Sequence, residues 1–127
     1  MMREKINQLK LIFEDGEEIV SGLKKGLLEN NANYALLIGA QGKIKDFEIN
    51  YFLGSEYRGK HIEREYSLNG ASGKFVRKGQ EFTGDFHVLL FGGGNETING
   101  TLLSATASGE VVITARLPDF KKMIGDD

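Results

Sequence analysis

The sequence predicts an α+β fold with a largely antiparallel sheet of about seven strands and one main helix. Two observations carry this. A helical apolar period occurs once, near the start, whereas alternation with a period of two recurs along the rest of the chain. Glycine-rich, hairpin-like turns then separate the later strands.

Leu9, Leu11 and Phe13 alternate with outward residues and form the first strand. Asp15-Gly16-Glu17-Glu18 follows, with Asp15 placed to cap a helix and Glu18 three positions later, a variant of the capping box. Ile19, Leu23 and Leu27, joined by Val20 and Leu28, make one face of an amphipathic helix of about three turns that ends near Asn30. Tyr34 to Ile38 is a short buried strand, and Gly39-Ala40-Gln41-Gly42 turns the chain. Phe47, Ile49, Tyr51 and Leu53 alternate along a half-buried strand. Ser55 to Lys60 is a polar loop, and Ile62, Tyr66 and Leu68 carry the next strand, which turns or bulges at Asn69-Gly70. Lys74 to Lys78 is short and basic, and Gly79 to Gly84 is a loop. Phe86 to Phe91 is a strand, Gly92-Gly93-Gly94-Asn95 a turn, and Ile98 to Ala107 the returning strand. Ser108-Gly109 breaks that strand; Val111 to Pro118 is the last, and the tail from Lys121 to Asp127 frays.

A chain of 127 residues suits one domain over 1–127, with a core at about 9–117 and a tail at 118–127. The net charge of -2 supplies no global field toward phosphate or anionic lipid. Cysteine is absent, which excludes disulfides, thiolate metal sites and thiol catalysis and fits a reducing compartment. The opening residues show no signal-peptide pattern, and the apolar run from Tyr34 to Ala40 is too short to span a bilayer. The expected location is therefore cytoplasmic, and Asn95-Glu96-Thr97 and Asn99-Gly100-Thr101 are chance matches to the glycosylation pattern.

From about Leu9 to Leu117 the order and spacing of short motifs resemble the PPC family, the plant and prokaryote conserved domain. The motifs are Gly16-Glu17-Glu18 before the helix, Gly39-Ala40-Gln41-Gly42 after the apolar strand, and Ser67-Leu68-Asn69-Gly70. Asp85-Phe86-His87-Val88-Leu89-Leu90, Asn99-Gly100-Thr101-Leu102 and Glu110-Val111-Val112-Ile113 complete the set. The resemblance implies a compact domain that assembles as a homotrimer. Plant members of this family sit beside DNA-binding AT-hooks; here the nearest text is Tyr57-Arg58-Gly59-Lys60, and the sole proline is Pro118, so no hook is present.

Asp85, His87 and Thr101 are the candidate ligand-binding residues. In many relatives the matching positions hold three histidines that look like a metal-ligand set, and three imidazoles suit Zn²⁺ with a fourth position open. Here the set reads Asp, His and Thr, and a threonine hydroxyl is a poor ligand at neutral pH. No metal or other cofactor is therefore expected, nor stoichiometric zinc in the purified protein. Asp85 and His87 are two apart, so they share one strand face. Two basic stretches, Arg58, Lys60, His61, Arg64 and Lys74, Arg77, Lys78, could with Tyr57 and Phe75 make a nucleic-acid face. Glu56, Glu63, Glu65 and Glu81 interrupt them, and solvated strand faces are the better reading. Gly92-Gly93-Gly94 lacks the helix start and the Lys-Ser/Thr of a phosphate loop.

The sequence thus favours a non-catalytic homotrimeric module that serves assembly or holds a small ligand. Its alternatives are a DNA-associated regulatory protein and a metal-dependent enzyme with its site near His87. The apolar residues Phe82, Phe86, Leu89, Leu90, Phe91, Ile98, Leu102 and Leu103 exceed what one short helix could cover, which points to burial between subunits. No tight, specific binding to duplex DNA and no membrane association are expected.

Overall fold

The computed structural model describes residues 6–53 and 56–118; Ser55 and the tail from Lys121 lie outside the described residues. The elements run β1 (Ile6–Phe13), α1 (Ile19–Glu29), β2 (Tyr34–Leu53), β3 (Glu56–Ile62), β4 (Tyr66–Lys78), β5 (Glu81–Gly84), β6 (His87–Phe91) and β7 (Thr97–Pro118). The sheet has seven strands in the order β1-β7-β6-β4-β2-β3, β5 pairs with β4, and β7 also pairs with β2. Every pairing is antiparallel. The β7–β2 pairing closes β2, β4, β6 and β7 into a ring, which hides strand edges and gives inward side chains an enclosed interior.

Two long strands make this closure possible. β2 has 20 residues and β7 has 22, and each changes partners along its length. Register shifts at Leu37/Gly39, Gln41/Lys43 and Lys45/Glu48 bend β2 against β7. The glycines expected to turn the chain at 39–42 are instead bulged positions within one continuous strand. Gly42 has φ of +124°, and a Cβ there would lie 2.6 Å from the Glu110 carbonyl oxygen. Only glycine allows both that backbone and that approach of β2 to β7. Likewise Ser108-Gly109 does not end a strand: Gly109, with φ of +77°, kinks β7 without breaking it.

Two expected loops are strands. Glu56 to Lys60 belongs to β3 and residues 81–84 form β5. Both are edge segments with mostly exposed side chains, each anchored by one buried residue, Ile62 or Phe82, and paired through the backbone. Asn69-Gly70 lies at a bulge in β4, between Leu68 and Ala71.

The buried side chains form one apolar cluster, with no buried polar or charged residue among the described residues. Phe82, Phe86, Leu90 and Leu102, part of the expected surplus, are buried within the single chain because the closed ring supplies the interior that the helix alone could not. Helix α1 packs on β7, β1 and β5, with Ile19, Leu23 and Leu27 fully buried. Burial of each such side chain contributes about 1.5–3 kcal/mol. The helix cap is Glu18, not Asp15. Its carboxylate accepts from the backbone N–H of Ser21 at 2.7 Å and Val20 at 3.0 Å, and from Ala105 N–H on β7 at 2.8 Å. Burial alone would raise its pKa, but the hydrogen bonds from Ser21, Ala105 and Val20 prevail and hold it below the usual carboxylate range. Asp15 accepts instead from Gly109 N–H at 2.8 Å, tying the loop to the kink in β7. No described helix is long and apolar enough to cross a membrane.

Candidate functional site

The ladder places His87, the first residue of β6, directly opposite Thr101 of β7. Asp85 lies in the short link before it. Phe86 between them is buried, so Asp85 and His87 both face outward, as their spacing predicts. They help line a groove of about 270 Å³ with Gly73, Lys74, Val76 and Gly84. Gly73, at φ of +134°, forms its floor: a Cβ there would sit 1.9 Å from the Asp85 carbonyl oxygen. Thr101 Oγ1 lies 3.1 Å from His87 Nδ1, a hydrogen bond that ties up one ring nitrogen. The three-imidazole set implied by the family resemblance does not fit these residues. One donor is a hydroxyl bonded to the histidine itself, and two donors are too few for a structural or catalytic zinc.

A larger cleft, about 900 Å³, opens at the β3–β4 end of the sheet. Its walls come from Tyr51 on β2, Lys60 to Ile62 on β3, Glu63 and Arg64 in the link after it, Tyr66 on β4, Glu96 just before β7 and Thr97 to Asn99 at its start. Arg64 forks onto Glu96: Nη1 donates to Oε1 at 2.8 Å, and Nη2 donates to Oε2 and to the Tyr66 hydroxyl. Tyr66 OH in turn donates to Glu96 Oε2 at 3.0 Å. The Tyr66 ring is buried, stacks edge-on against Phe47 at 5.4 Å, and lies 5.0 Å from the Arg64 guanidinium carbon. The hydrogen bonds from Arg64, then Tyr66, hold the Glu96 carboxyl below its ordinary range. Burial, then the bond to Glu96, raises the Tyr66 phenol. The cleft thus has an aromatic wall and a fixed ionic network at its edge.

Beside it, Asp46, His61 and Glu63 bring one ligand atom each to within 4.8 Å of one another. The β2–β3 register explains the meeting. Phe47 pairs with Ile62 and both are buried, so the flanking residues face outward together. Sequence reading missed this trio because it took residues 55–60 as a loop, which removed the partner strand. The available signal was the two-residue spacing of His61 and Glu63.

The two basic stretches do not form one face. The first lies on β3 and the link after it, the second on β4, and the two strands do not pair with each other. Arg58 is paired to Glu56 at 2.8 Å, Arg64 is paired to Glu96, and Arg77 Nε donates to the Gly79 carbonyl at 2.7 Å. Phe75 is buried and cannot stack on a base. The Tyr57 side chain lies outside the described residues.

A partly closed antiparallel sheet with a capped helix packed on it defines the class of domain. Residues 3–116 match the model of the Plants and Prokaryotes Conserved (PCC) domain, and the chain belongs to that family. Solved structures share the fold. One is a plant- and prokaryote-conserved protein from Pyrococcus horikoshii, 21% identical, with TM-score 0.74, covering 92% of this chain and 83% of that one. Another is a metal-containing protein from Archaeoglobus fulgidus, 22% identical, with TM-score 0.75, covering 94% and 86%. A third is a protein from Salmonella cholerae-suis described as hypothetical, 15% identical, with TM-score 0.78, covering 92% and 81%. No curated protein sequence matches the chain.

Proposed function

We propose that this domain is a non-catalytic self-association module, working as a homotrimer and holding a small polar ligand at its surface. The observation that carries the reading is a set of exposed apolar side chains on the outside of the sheet. Ile12 is 62% exposed, Ile38 42% and Val76 37%. Ile12 pairs with Val112 on β7, Val76 pairs with Tyr34 on β2, and Ile38 sits at a bulge in β2. Leu36 on β2 and Val112 on β7 are half-buried. These side chains lie on β1, β2, β4 and β7, and no described element covers the exposed ones. Exposed apolar surface is stabilised by burial against a second copy, and the family resemblance favours a trimer. Of the late-chain apolar residues singled out in the sequence, Phe91 and Leu103 are exposed as well.

Val76 and Lys74 also line the His87 groove. Association through the face around Val76 would set Asp85, His87 and Thr101 at a subunit boundary, where two chains can share one ligand. Multi-angle light scattering tests the assembly. The wild type is expected as a trimer, and Ile12→Asp combined with Ile38→Asp as a folded monomer by circular dichroism. A wild-type protein that is only monomeric at micromolar concentration would sink the reading.

Duplex DNA is a weaker candidate partner. The arginines named above already have protein partners, and the net charge is -2. Non-specific duplex binding needs several uncompensated phosphate contacts. Anisotropy at near-physiological salt should show no preference for one duplex over a scrambled control; nanomolar specific affinity would move the DNA-associated reading to first place.

A further inference from the structure

We propose that Asp46, His61 and Glu63 form a binding site for a divalent transition-metal cation, Zn²⁺ or Mn²⁺, at the edge of the large cleft. The site is separate from the Asp85–His87–Thr101 positions and does not depend on self-association.

The donor set comes first. One imidazole and two carboxylates supply three oxygen and nitrogen ligands, the number found in open zinc sites. Imidazole favours zinc and its neighbours in the transition series, and carboxylates extend the choice to Mn²⁺. The three ligand atoms lie within 4.8 Å of one another. Around one cation with bonds of about 2.0–2.2 Å, such atoms stand about 3–4 Å apart, so small rotations of exposed side chains complete the site.

The scaffold is the second argument. His61 and Glu63 project from the same side of β3 and the link that follows it, two residues apart, with buried Ile62 between them. Asp46 is brought opposite by the bulge in β2, where its backbone takes φ of +46° and its N–H donates to the Glu63 carbonyl at 3.1 Å. That bond holds two of the ligand-bearing residues in fixed register before any cation arrives.

Charge is the third. Glu48 lies across the ladder from His61, with Oε1 3.8 Å from Nδ1, where a carboxylate can orient a ligating imidazole. Asp46, Glu48 and Glu63 therefore surround a single histidine. Among the described residues, neither Asp46 nor Glu63 makes a salt bridge. A divalent cation offsets this excess of negative charge. Because His61 and Glu63 also line the cleft, the remaining coordination positions face a cavity bearing Lys60, open to water or to an oxygen donor of an entering ligand.

The test is a titration of chelator-treated, dialysed protein with Zn²⁺, and separately Mn²⁺, by calorimetry and by NMR of the two histidine rings. One equivalent per chain is expected. Zn²⁺ should shift the His61 ring signals, and Mn²⁺ should broaden them more than those of His87. Asp46→Asn, His61→Ala and Glu63→Gln should each weaken binding by at least about tenfold, while His87→Ala leaves it unchanged. All three ligands are exposed, so the variants should fold, and circular dichroism checks this. The absence of saturable binding by either ion would overturn the proposal, and so would binding that survives His61→Ala or vanishes with His87→Ala.

Discussion

The His87 groove and the Arg64–Glu96 cleft are built on opposite plans. The groove is local. Asp85 and His87 are two residues apart, and Thr101 is the direct ladder partner of His87. Its floor is backbone, shaped by a glycine at φ of +134°. The cleft is assembled from residues far apart in sequence: Arg64 and Glu96 are 32 positions apart, and Asp46 meets Glu63 across a bulge. A groove of the first kind depends on one backbone position. One of the second kind depends on a buried anchor that holds several segments together, here the Tyr66 ring.

That difference predicts where each region breaks. The largest effect should come from Tyr66→Ala. It removes a buried ring packed edge-on against Phe47 and leaves Arg64 and Glu96 without their shared hydroxyl. A loss of about 3–5 kcal/mol in urea unfolding is expected. If the cost is under about 1 kcal/mol, Tyr66 is not the anchor. Gly73→Ala should come next, at about 2–4 kcal/mol, because an L-residue at that φ is strained and its Cβ collides with the Asp85 carbonyl. Its structural effect should be confined to the groove: NMR shifts should move around Asp85 and His87 and stay still around Arg64. Matching perturbation of both regions would show that they are coupled.

Acid should sharpen the contrast further. Hydrogen bonds from Arg64 and Tyr66 depress the Glu96 pKa. A depressed folded-state pKa means that the network's contribution is present above the unfolded carboxylate value and is lost as pH falls through the lower folded one. Carboxyl NMR should therefore show Glu96 titrating below an ordinary glutamate, and Arg64→Gln should move that midpoint upward. An unchanged midpoint would mean that the fork is not held in solution. The smallest effect belongs to His87→Ala. The imidazole is exposed, and its loss should change stability by no more than about 0.5 kcal/mol. A loss above about 2 kcal/mol would mean that the His87–Thr101 bond supports the ladder.

Several elements could be read directly. The helix from Ile19 to Glu29 and its end at Asn30 follow from four-residue apolar spacing, which no strand reproduces. β6 and the turn at Gly92 follow from a dense apolar run stopped by glycines. The cap was harder. Asp15 and Glu18 both offer carboxylates before the helix, and Glu18 wins because its side chain also reaches Ala105 N–H, 87 residues away. β3 and β5 carry few apolar residues, so their strand character comes from backbone pairing that leaves no mark on side-chain pattern. Asp85, His87 and Thr101 were legible as a group only through the family resemblance, and the ladder then places Thr101 opposite His87. The Asp46–His61–Glu63 trio was not, since it depends on β3 being present.

The sequence by itself determined the α+β class, the single helix, the apolar face of most strands and the exclusion of thiol chemistry. Those properties depend on local period and composition, which a chain carries before it folds. Only the tertiary structure decided that β2 and β7 run unbroken through their glycines, that the sheet closes into a ring, and that charged residues converge on the cleft. Closure depends on bulges and on backbone approaches such as Gly42 to Glu110, and these are contacts between segments distant in sequence. A glycine reads the same whether it ends a strand or lets two strands cross. The free energy that separates the two outcomes is the burial gained when the ring closes, and that is a property of the whole fold.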